Sequence, residues 1–396
     1  MLQAEVVVVV GAGAAGLSLA HRLSGQVPGL RTPSVVLVGA PPGPLIAPRR
    51  TWCFWEPEGG RFDAAVTARW RRLRVRPPTG DPLQGDLGPL RYKMIRSDDF
   101  ERLVGRDLAG SPNVHRLEAA VDTVEDVTGG ARVHLREADG TRRVLHARWV
   151  LDSRPLGRLP AARTTLLQHF HGWFVRTSRP VFDTRVADLM DFRTPQPADG
   201  LSFGYVLPTK PHEALVEYTE FSPRTLTPEG YEAAVRHYAD DVLRLGDRRI
   251  LSTETGVIPM TDAPMARRAG ASVFRIGAAG GATRPATGYT FAGLQRQTRA
   301  VAAALRRGRR PLPPPAHSAR SRAMDAVLLR ALASGRVDGP ALFSRLFAQV
   351  PMDRLLRFLD GGTRLHEDLA IGLRTPVAPM LRSALELPIL PRRPFG

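Results

Sequence analysis

The chain has 396 residues, enough for about two or three compact units, and 43% of them are hydrophobic, as in an ordinary globular protein. The net charge is +18, almost all of it from arginine, which favours an anionic membrane surface as partner over nucleic acid, because the arginines form no tract with interleaved aromatic residues. Cys53 is the single cysteine, which excludes a disulfide framework and a cysteine-rich metal site, so no metal is predicted.

The first forty residues carry the pattern of a dinucleotide-binding βαβ unit. Val6–Val10 is a run of β-branched residues, which predicts a strand buried on both faces, and a glycine-rich turn, an apolar helix and a second apolar strand at 35–38 follow it. Glycines at these places permit a tight turn, close approach of a pyrophosphate and close helix packing. The residues predicted to bind the cofactor here are Gly11, Ala12, Gly13, Ala14, Ala15 and Gly16. A glycine turn without a ligand is the alternative.

One position departs from this pattern. The acidic residue that binds the ribose hydroxyls is expected where the second strand ends, and that position is Gly39. A dinucleotide can still bind through its pyrophosphate, so the ribose contact must come from elsewhere or be absent.

The chain does not begin like a secretory signal peptide, because the apolar run after Met1 already contains the glycine motif. No uninterrupted apolar run is long enough to span a bilayer. The expected location is the cytoplasm, at most peripheral to a membrane.

Two stretches are rich in aromatic residues. Residues 51–56 contain Trp52 and Trp55, and they predict either a core segment or an aromatic wall beside an electron-poor intermediate. In residues 165–220, strand-like runs follow one another with Gly and Pro between them, and Trp173 and Tyr205 lie among these runs. This second stretch predicts an antiparallel sheet inserted into the first domain.

A glutamate in the predicted sheet is a candidate acid. In residues 214–220, a period of two places Leu215, Glu217 and Thr219 on the same face of a strand. If that face borders an apolar cavity, burial would raise the pKa of Glu217 and make it a proton donor. A solvated surface glutamate is the alternative.

A second strand–glycine–helix element follows late in the chain. A strand at 273–276 leads into a glycine-rich loop and then into an alanine- and arginine-rich helix from about residue 292 to 306. Together with the first motif, this element predicts a flavin site, because it brings backbone N–H groups and a helix N-terminus towards the ring system. The residues predicted to bind the cofactor here are Gly277, Gly280, Gly281, Pro285, Thr287, Gly288 and Tyr289.

The predicted organisation has three parts. Residues 1–155 and 250–310 form a discontinuous FAD-binding domain, 156–249 a substrate-binding domain with an antiparallel sheet, and 311–396 a helical C-terminal region. The apolar stripe between Leu342 and Leu359 is expected to pack against the core, with a cavity cap or contact with a bilayer as alternatives.

Taken together, these motifs resemble bacterial lycopene β-cyclases, flavoproteins that close the rings of β-carotene, over almost the whole chain. The resemblance is carried by the glycine motif, by residues 51–55, 92–100, 189–193, 254–260 and 277–291, and by Leu215-Val216-Glu217-Tyr218-Thr219, where related cyclases carry a Phe-Leu-Glu-Glu-Thr run whose first glutamate is implicated in catalysis. Gly39 and Tyr218 depart from the family pattern. Because Tyr218 replaces the second acid of the run, a mechanism with two carboxylates at that spot is not expected.

The resemblance implies an α/β fold with a Rossmann-type FAD-binding domain, as in glutathione-reductase-like flavoproteins. It implies reduced FAD as cofactor, NAD(P)H as electron source, and lycopene or a related carotenoid as substrate of a proton-initiated, non-redox cyclisation. Glu217 is the predicted catalytic residue, as proton donor, relay or stabiliser of the cation. The residues predicted to line the substrate tunnel are Trp52, Trp55, Trp173 and Tyr205. No oligomeric state is predicted.

The alternative is an FAD-dependent monooxygenase or reductase that acts on another lipophilic isoprenoid. Such hydroxylases usually carry Gly-Asp in the second flavin motif and Asp-Gly where the sheet returns. Here the two places read Gly277-Ala278 and Asp152-Ser153, which argues against hydroxylation. A basic protein that only binds membrane or nucleic acid would leave both glycine elements unexplained.

Overall fold

The computed structural model describes residues 6–395. The strands are β1 (Val6–Val10), β2 (Ser34–Gly39), β3 (Thr51–Pro57), β4 (Val66–Trp70), β5 (Arg72–Arg76), β6 (Leu83–Asp86), β7 (Leu90–Arg96), β8 (Val114–Glu118), β9 (Ala120–Val127), β10 (Gly130–Arg136), β11 (Arg142–Ala147), β12 (Trp149–Asp152), β13 (Thr165–Thr177), β14 (Val186–Asp191), β15 (Leu201–Lys210), β16 (Glu213–Ser222), β17 (Arg248–Thr261) and β18 (Val273–Arg275). The helices are α1 (Ala14–Leu23), α2 (Ser97–Ala109), α3 (Pro228–His237), α4 (Phe291–Arg306), α5 (Ala319–Ala333), α6 (Gly339–Gln349), α7 (Met352–Leu359), α8 (Leu365–Gly372) and α9 (Val377–Glu386). A π-helical turn, Tyr238–Val242, continues α3.

A five-stranded parallel sheet carries the N-terminal motif. Its order is β18-β12-β1-β2-β8, and every neighbouring pair is parallel. The valine run of β1 is covered on both faces, because α1 and α4 pack on one side and the antiparallel strands β9, β10 and β11 pack on the other. The predicted βαβ unit and the α/β fold class are therefore confirmed.

The middle of the chain forms a seven-stranded sheet in the order β17-β13-β16-β15-β14-β5-β6. Neighbours are antiparallel except for β14 and β5, which are parallel. The predicted inserted sheet is thus present, but it recruits strands from outside the range 156–249. β5 and β6 come from the range 1–155 that was assigned to the FAD-binding domain, and most of β17 comes from the range 250–310 that was also assigned to it.

The seven-stranded sheet has a different partner on each face. One face packs against α3 and the π-helical turn. The other face shares its core with α5, α6 and α7, together with the small antiparallel sheet β3-β7-β4. This confirms the predicted helical C-terminal region. Among residues 6–395, no helix has both the length and the apolar composition needed to cross a membrane.

Candidate active site

An apolar cavity lies between the seven-stranded sheet and the C-terminal helices. The sheet contributes aromatic side chains, and α5, α6 and α7 contribute leucines and phenylalanines, among them Phe170, Phe203, Phe221, Leu328, Phe347 and Phe358. The stripe expected to pack against the core therefore does so, and it forms the helical wall of this cavity. A space with such a lining suits a hydrocarbon and excludes water.

Two glutamates reach this cavity from one row across the sheet. In the strand register, Gly172 of β13 pairs with Glu254 of β17 on one side and with Glu217 of β16 on the other. Glu217 pairs in turn with Tyr205 of β15. Residues paired across neighbouring strands point to the same face. Gly172 leaves room in this row, because a Cβ atom there would lie 3.2 Å from the Cβ atom of Glu217 and crowd its side chain.

Glu217 is buried, with 8% of its surface exposed, and it lines the cavity. Its Oε1 accepts a hydrogen bond from Oγ1 of Thr219 at 2.7 Å. Burial raises the pKa of Glu217 to about 8; the hydrogen bond from Thr219 opposes this shift, and the negative charge of Glu254 adds to it. At neutral pH the carboxyl group therefore carries a proton, which is the state a proton donor needs.

Glu254 is the functional candidate that sequence reasoning missed, since it was quoted only as part of a family motif. It is buried and lines the same cavity. Its two oxygens accept hydrogen bonds from the backbone N–H of Thr51 at 2.7 Å and from the Thr51 hydroxyl at 2.5 Å. Burial raises the pKa of Glu254, while these bonds and the charges of Arg50 and Arg96 oppose the shift. Two carboxyl groups thus share one cavity in different surroundings.

Three tyrosine hydroxyls form a buried cluster next to the glutamates. The hydroxyl of Tyr92 bonds to those of Tyr205 and Tyr289, the second at 3.0 Å. Burial raises the pKa of all three phenols, so they stay protonated. Cys53 lies among them, and burial raises the pKa of its thiol to about 12. This keeps the thiol neutral, so it is a poor nucleophile.

The four residues predicted to line the substrate tunnel fall in three places. Trp52 and Tyr205 line the cavity. Trp55 lies behind the lining, with its ring centroid 4.7 Å from that of Tyr289 in an edge-on arrangement. The prediction for Trp173 is wrong, because Gly172 faces the cavity and the next residue along a strand points to the opposite face.

On that opposite face Trp173 is fully buried. The guanidinium groups of Arg236 and Arg248 lie 5.6 Å and 5.3 Å from its ring centroid, and its Nε1 donates to Glu232. Trp173 therefore anchors α3 to the back of the sheet and takes no part in the cavity.

The N-terminal glycine turn has the shape of a pyrophosphate site. Gly11 has a φ of +93°, and a Cβ atom at Gly16 would lie 1.9 Å from the carbonyl oxygen of Gly11, so both positions require glycine. In the described part of the chain, a Cβ atom at Gly13 would meet nothing within 4 Å, so this glycine borders open space. Neither a capping side chain nor an acidic residue in the first turn fills the N-terminus of α1. Such a helix N-terminus attracts anions.

The second glycine element lies against the first. A Cβ atom at Gly277 would lie 2.8 Å from the Cβ atom of Ala15. Gly280, Gly281 and Pro285 border a cleft beside the cavity, whereas Thr287, Gly288 and Tyr289 line the cavity itself. The two glycine elements thus lie next to each other, and the second one borders the cavity.

Two buried polar atoms near this second element lack partners. Oγ1 of Thr287 and Oε1 of Gln168 have no hydrogen-bond partner within residues 6–395, and both residues line the cavity next to Gly288. An unpaired buried polar atom is costly unless a ligand satisfies it. The region therefore fits a group that carries both anionic phosphates and ring hydrogen-bonding atoms.

At Gly39 the structure shows which acid is nearest in the sheet. Gly39 pairs with Glu118, the last residue of β8, which is exposed. A Cβ atom at Gly39 would lie 3.2 Å from that of Ala12, so a side chain there crowds the glycine turn. Glu118 is accordingly the candidate for the ribose contact.

Comparison with solved structures finds flavoproteins of similar fold. Solved structures of similar fold include a geranylgeranyl bacteriochlorophyll reductase-like protein from Thermoplasma acidophilum, with 11% identity, a TM-score of 0.62, and 97% of this chain and 99% of that chain covered. They also include a flavoprotein/dehydrogenase from Cytophaga hutchinsonii (14%, TM-score 0.59, 97% and 99% covered) and the flavin-dependent monooxygenase PieE in complex with FAD and substrate (15%, TM-score 0.59, 97% and 72% covered). These likenesses confirm the fold. No curated protein matches the sequence.

The family match is more specific than these structural likenesses. The family model described as "Lycopene cyclase protein" matches residues 6–385, nearly the whole chain. The resemblance inferred from the motifs is thereby confirmed, and the chain belongs to the lycopene cyclase family.

Proposed function

We propose that this protein is a flavin-dependent lycopene β-cyclase, which converts the ψ end groups of lycopene to β-ionone rings on the way to γ-carotene or β-carotene. The observation that carries the proposal is Glu217, a carboxyl group whose pKa of about 8 keeps it protonated in the wall of an apolar cavity. Protonation of an isolated carbon–carbon double bond needs a group that still carries its proton at the working pH and lies where water cannot compete for that proton.

The proposed reaction starts with proton donation. Glu217 adds its proton to C2 of the terminal C1=C2 double bond, which leaves a tertiary cation at C1. The electrons of the C5=C6 double bond then form the C1–C6 bond and move the cation to C5. Loss of the C6 proton restores a C5=C6 double bond and closes the ring. One proton is gained and one is lost, so the conversion is an isomerisation without net oxidation.

The cavity wall supports this chemistry in three ways. Its aromatic rings, with Trp52 and Phe170 among them, present electron-rich faces to a passing cation. Its aliphatic side chains exclude water, which would otherwise capture the cation as an alcohol. Tyr205, which pairs with Glu217 in the strand register, lines the cavity with a protonated hydroxyl and so adds a polar group without adding a charge.

We further propose that the two glycine elements hold FAD. The turn from Gly11 to Gly16 would bind the pyrophosphate, Glu118 the ribose, and Thr287 with Gly288 the ring system, whose hydrogen-bonding atoms match the unpaired Oγ1 of Thr287. When bound in its reduced form, FAD would supply an electron-rich ring beside the substrate cation, with NAD(P)H as the source of its electrons.

The direct test is anaerobic incubation with lycopene, FAD and either NADPH or dithionite, followed by chromatography of the carotenoids. We expect cyclised products with both reductants. Equal turnover with oxidised FAD alone would contradict the need for reduced flavin. A hydrogenated product would instead favour the reductase alternative, and a hydroxylated product in a parallel incubation under air would favour the monooxygenase alternative.

Glu217→Gln tests the acid. This variant is expected to retain FAD, measured by flavin absorbance, and to lose about a thousandfold in kcat, the effect of removing an acid catalyst. The matched control is Glu220→Gln, which changes another buried glutamate of β16 whose partner is Tyr218 on the opposite face. The control should stay within about threefold of the parent enzyme. Turnover by Glu217→Gln at the parent rate would refute the assignment.

A further inference from the structure

An apolar stripe runs along the outside of the C-terminal region. Apolar residues recur at every fourth position from 365 to 389, and each is between 50% and 81% exposed. They are Leu365, Leu369, Leu373, Val377, Leu381, Leu385 and Ile389. Four residues advance a helix by slightly more than one turn, so within each helix the side chains line up on one side. We name these seven residues the C-terminal apolar face.

This face is not the side that α8 and α9 use for packing. α8 buries Asp368 and Ile371, and α9 buries Ser383 and packs Met380 against the core that lines the cavity. The two helices therefore have an inner side that the fold covers and an outer apolar side that it leaves open. Large apolar side chains left exposed along one side of a helix are typical of an interaction site.

Within the described chain, the exposed charges of this segment that lack an ion-pair partner are positive. Its acidic residues Glu367, Asp368 and Glu386 are each paired with arginines. Arg374 and Arg382, in contrast, have no acidic partner among residues 6–395 and are exposed. The margin of the apolar face is thus cationic, and the whole chain has a net charge of +18.

We propose that the C-terminal apolar face docks on an anionic lipid bilayer. Its leucines would enter the boundary between headgroups and acyl chains, and Arg374 and Arg382 would contact the anionic headgroups. The charge pattern favours lipid over a second copy of this chain. In a two-fold interface built on this face, the cationic margins of the two copies would repel each other.

The position of the face suggests why the protein would dock on lipid. This part of the proposal rests on the proposed function. The face lies close behind the cavity wall, because α9 packs on α5, and Leu328 of α5 lines the cavity. A carotenoid hydrocarbon resides in the bilayer. Docking through this face would bring the cavity to the surface of the lipid in which such a substrate dissolves.

The test is sedimentation with vesicles in the absence of lycopene and added flavin. The variant Leu369→Gln/Leu381→Gln/Leu385→Gln is expected to lower partitioning onto phosphatidylcholine–phosphatidylglycerol vesicles about a hundredfold. Its matched control, Val144→Gln/Val181→Gln/Ile250→Gln, removes exposed apolar side chains elsewhere and should partition like the parent. Arg374→Gln/Arg382→Gln should weaken binding about tenfold on these vesicles, leave binding to pure phosphatidylcholine unchanged, and reduce the salt dependence.

Two outcomes would overturn the proposal. One is a triple leucine variant that partitions like the parent protein while circular dichroism shows that it is folded. The other is a parent protein that does not bind vesicles and sediments as a dimer, while the leucine substitutions dissociate that dimer. The face would then be the interface with a second copy of the chain.

Failure of the cyclase proposal would give a result that differs from failure of the docking proposal. Vesicle binding would persist while lycopene remained unconverted in every medium. If both proposals hold, the triple leucine variant loses turnover of lycopene in vesicles and keeps turnover of lycopene in detergent micelles.

Discussion

Glu217 and Glu254 show how surroundings separate two like side chains in one cavity. Glu217 has one hydrogen bond, from Thr219, and its pKa is dominated by burial. Glu254 has two bonds from Thr51 and feels the charges of two arginines. Pairs of titratable groups whose surroundings differ in this way are typical of acid–base sites. In the proposed reaction, Glu217 is the donor and the charge of Glu254 helps to keep that donor protonated.

The raised pKa of Glu217 predicts the pH dependence of turnover. A carboxyl group with a pKa of about 8 is protonated at neutral pH and loses its proton as the pH rises through 8. If the protonated form is the active one, kcat/KM should be level up to about pH 7 and fall about tenfold per unit well above pH 8. An alkaline limb near pH 5, the range of an ordinary glutamate, would contradict this account.

Two substitutions should move that limb in opposite directions. Glu254→Gln removes a neighbouring negative charge, so the pKa of Glu217 falls and the limb moves to lower pH. Thr219→Val removes the hydrogen bond that stabilises the ionised carboxylate, so the pKa rises and the limb moves to higher pH. Profiles of kcat/KM against pH measure both shifts. If the alkaline limb moved in the same direction in both variants, or in neither, Glu217 would not be the group that sets the pH dependence of kcat/KM.

At the scale of elements, local patterns predicted the βαβ unit and the face of β16 that carries Glu217. Both follow from patterns within a single segment: a run of β-branched residues in β1, and the alternation of side chains between the two faces of β16. The role of Glu254 could not be predicted, because it requires β17 and β16 to pair on either side of β13. The error at Trp173 has the same origin. Aromatic content says that a strand is buried, but only the register decides which face each ring takes.

A buried ion pair holds the loop that lines the cavity at its second glycine element. The carbonyl oxygen of Arg284 accepts a hydrogen bond from the backbone N–H of Gly288 at 3.0 Å. The backbone N–H of Arg284 donates to the carbonyl oxygen of Tyr289 at 2.8 Å. Its Nε atom lies 2.9 Å from Oδ1 of Asp325 in α5, and both side chains are at most 5% exposed. The C-terminal region thus reaches the candidate flavin site through this pair.

Asp325→Asn is expected to be strongly destabilising, because it leaves the guanidinium of Arg284 buried without a counter-charge. The free energy of unfolding in urea should fall by about 3–5 kcal/mol. Replacing both partners with apolar residues, as in Arg284→Met/Asp325→Leu, should recover most of this loss. A single substitution that costs less than about 1 kcal/mol, or a double one as costly as the single, would contradict a buried ion pair here.

At the scale of the whole molecule, three parts of the chain meet around one cavity. The seven-stranded sheet brings the two glutamates, and α5, α6 and α7 close the opposite side. The second glycine element, which joins the parallel sheet to α4, brings Thr287 and Gly288. The sequence predicted these parts but not their limits. β5 and β6 join the large sheet through the parallel β14–β5 pair, a contact between residues more than a hundred positions apart that no local pattern specifies. The exposed stripe on α8 and α9 likewise emerges only once burial of the neighbouring helices is known.

The most direct test of the central claim is mass spectrometry of the carotenoid formed from lycopene in D₂O with reduced FAD. A ring closed by proton donation to C2 carries one non-exchangeable deuterium, so γ-carotene should contain one and β-carotene two, with no added oxygen. Glu217→Gln should form labelled product about a thousandfold more slowly. Cyclised product without deuterium, product with incorporated oxygen, or labelled product from Glu217→Gln at the parent rate would contradict proton-initiated cyclisation by this residue.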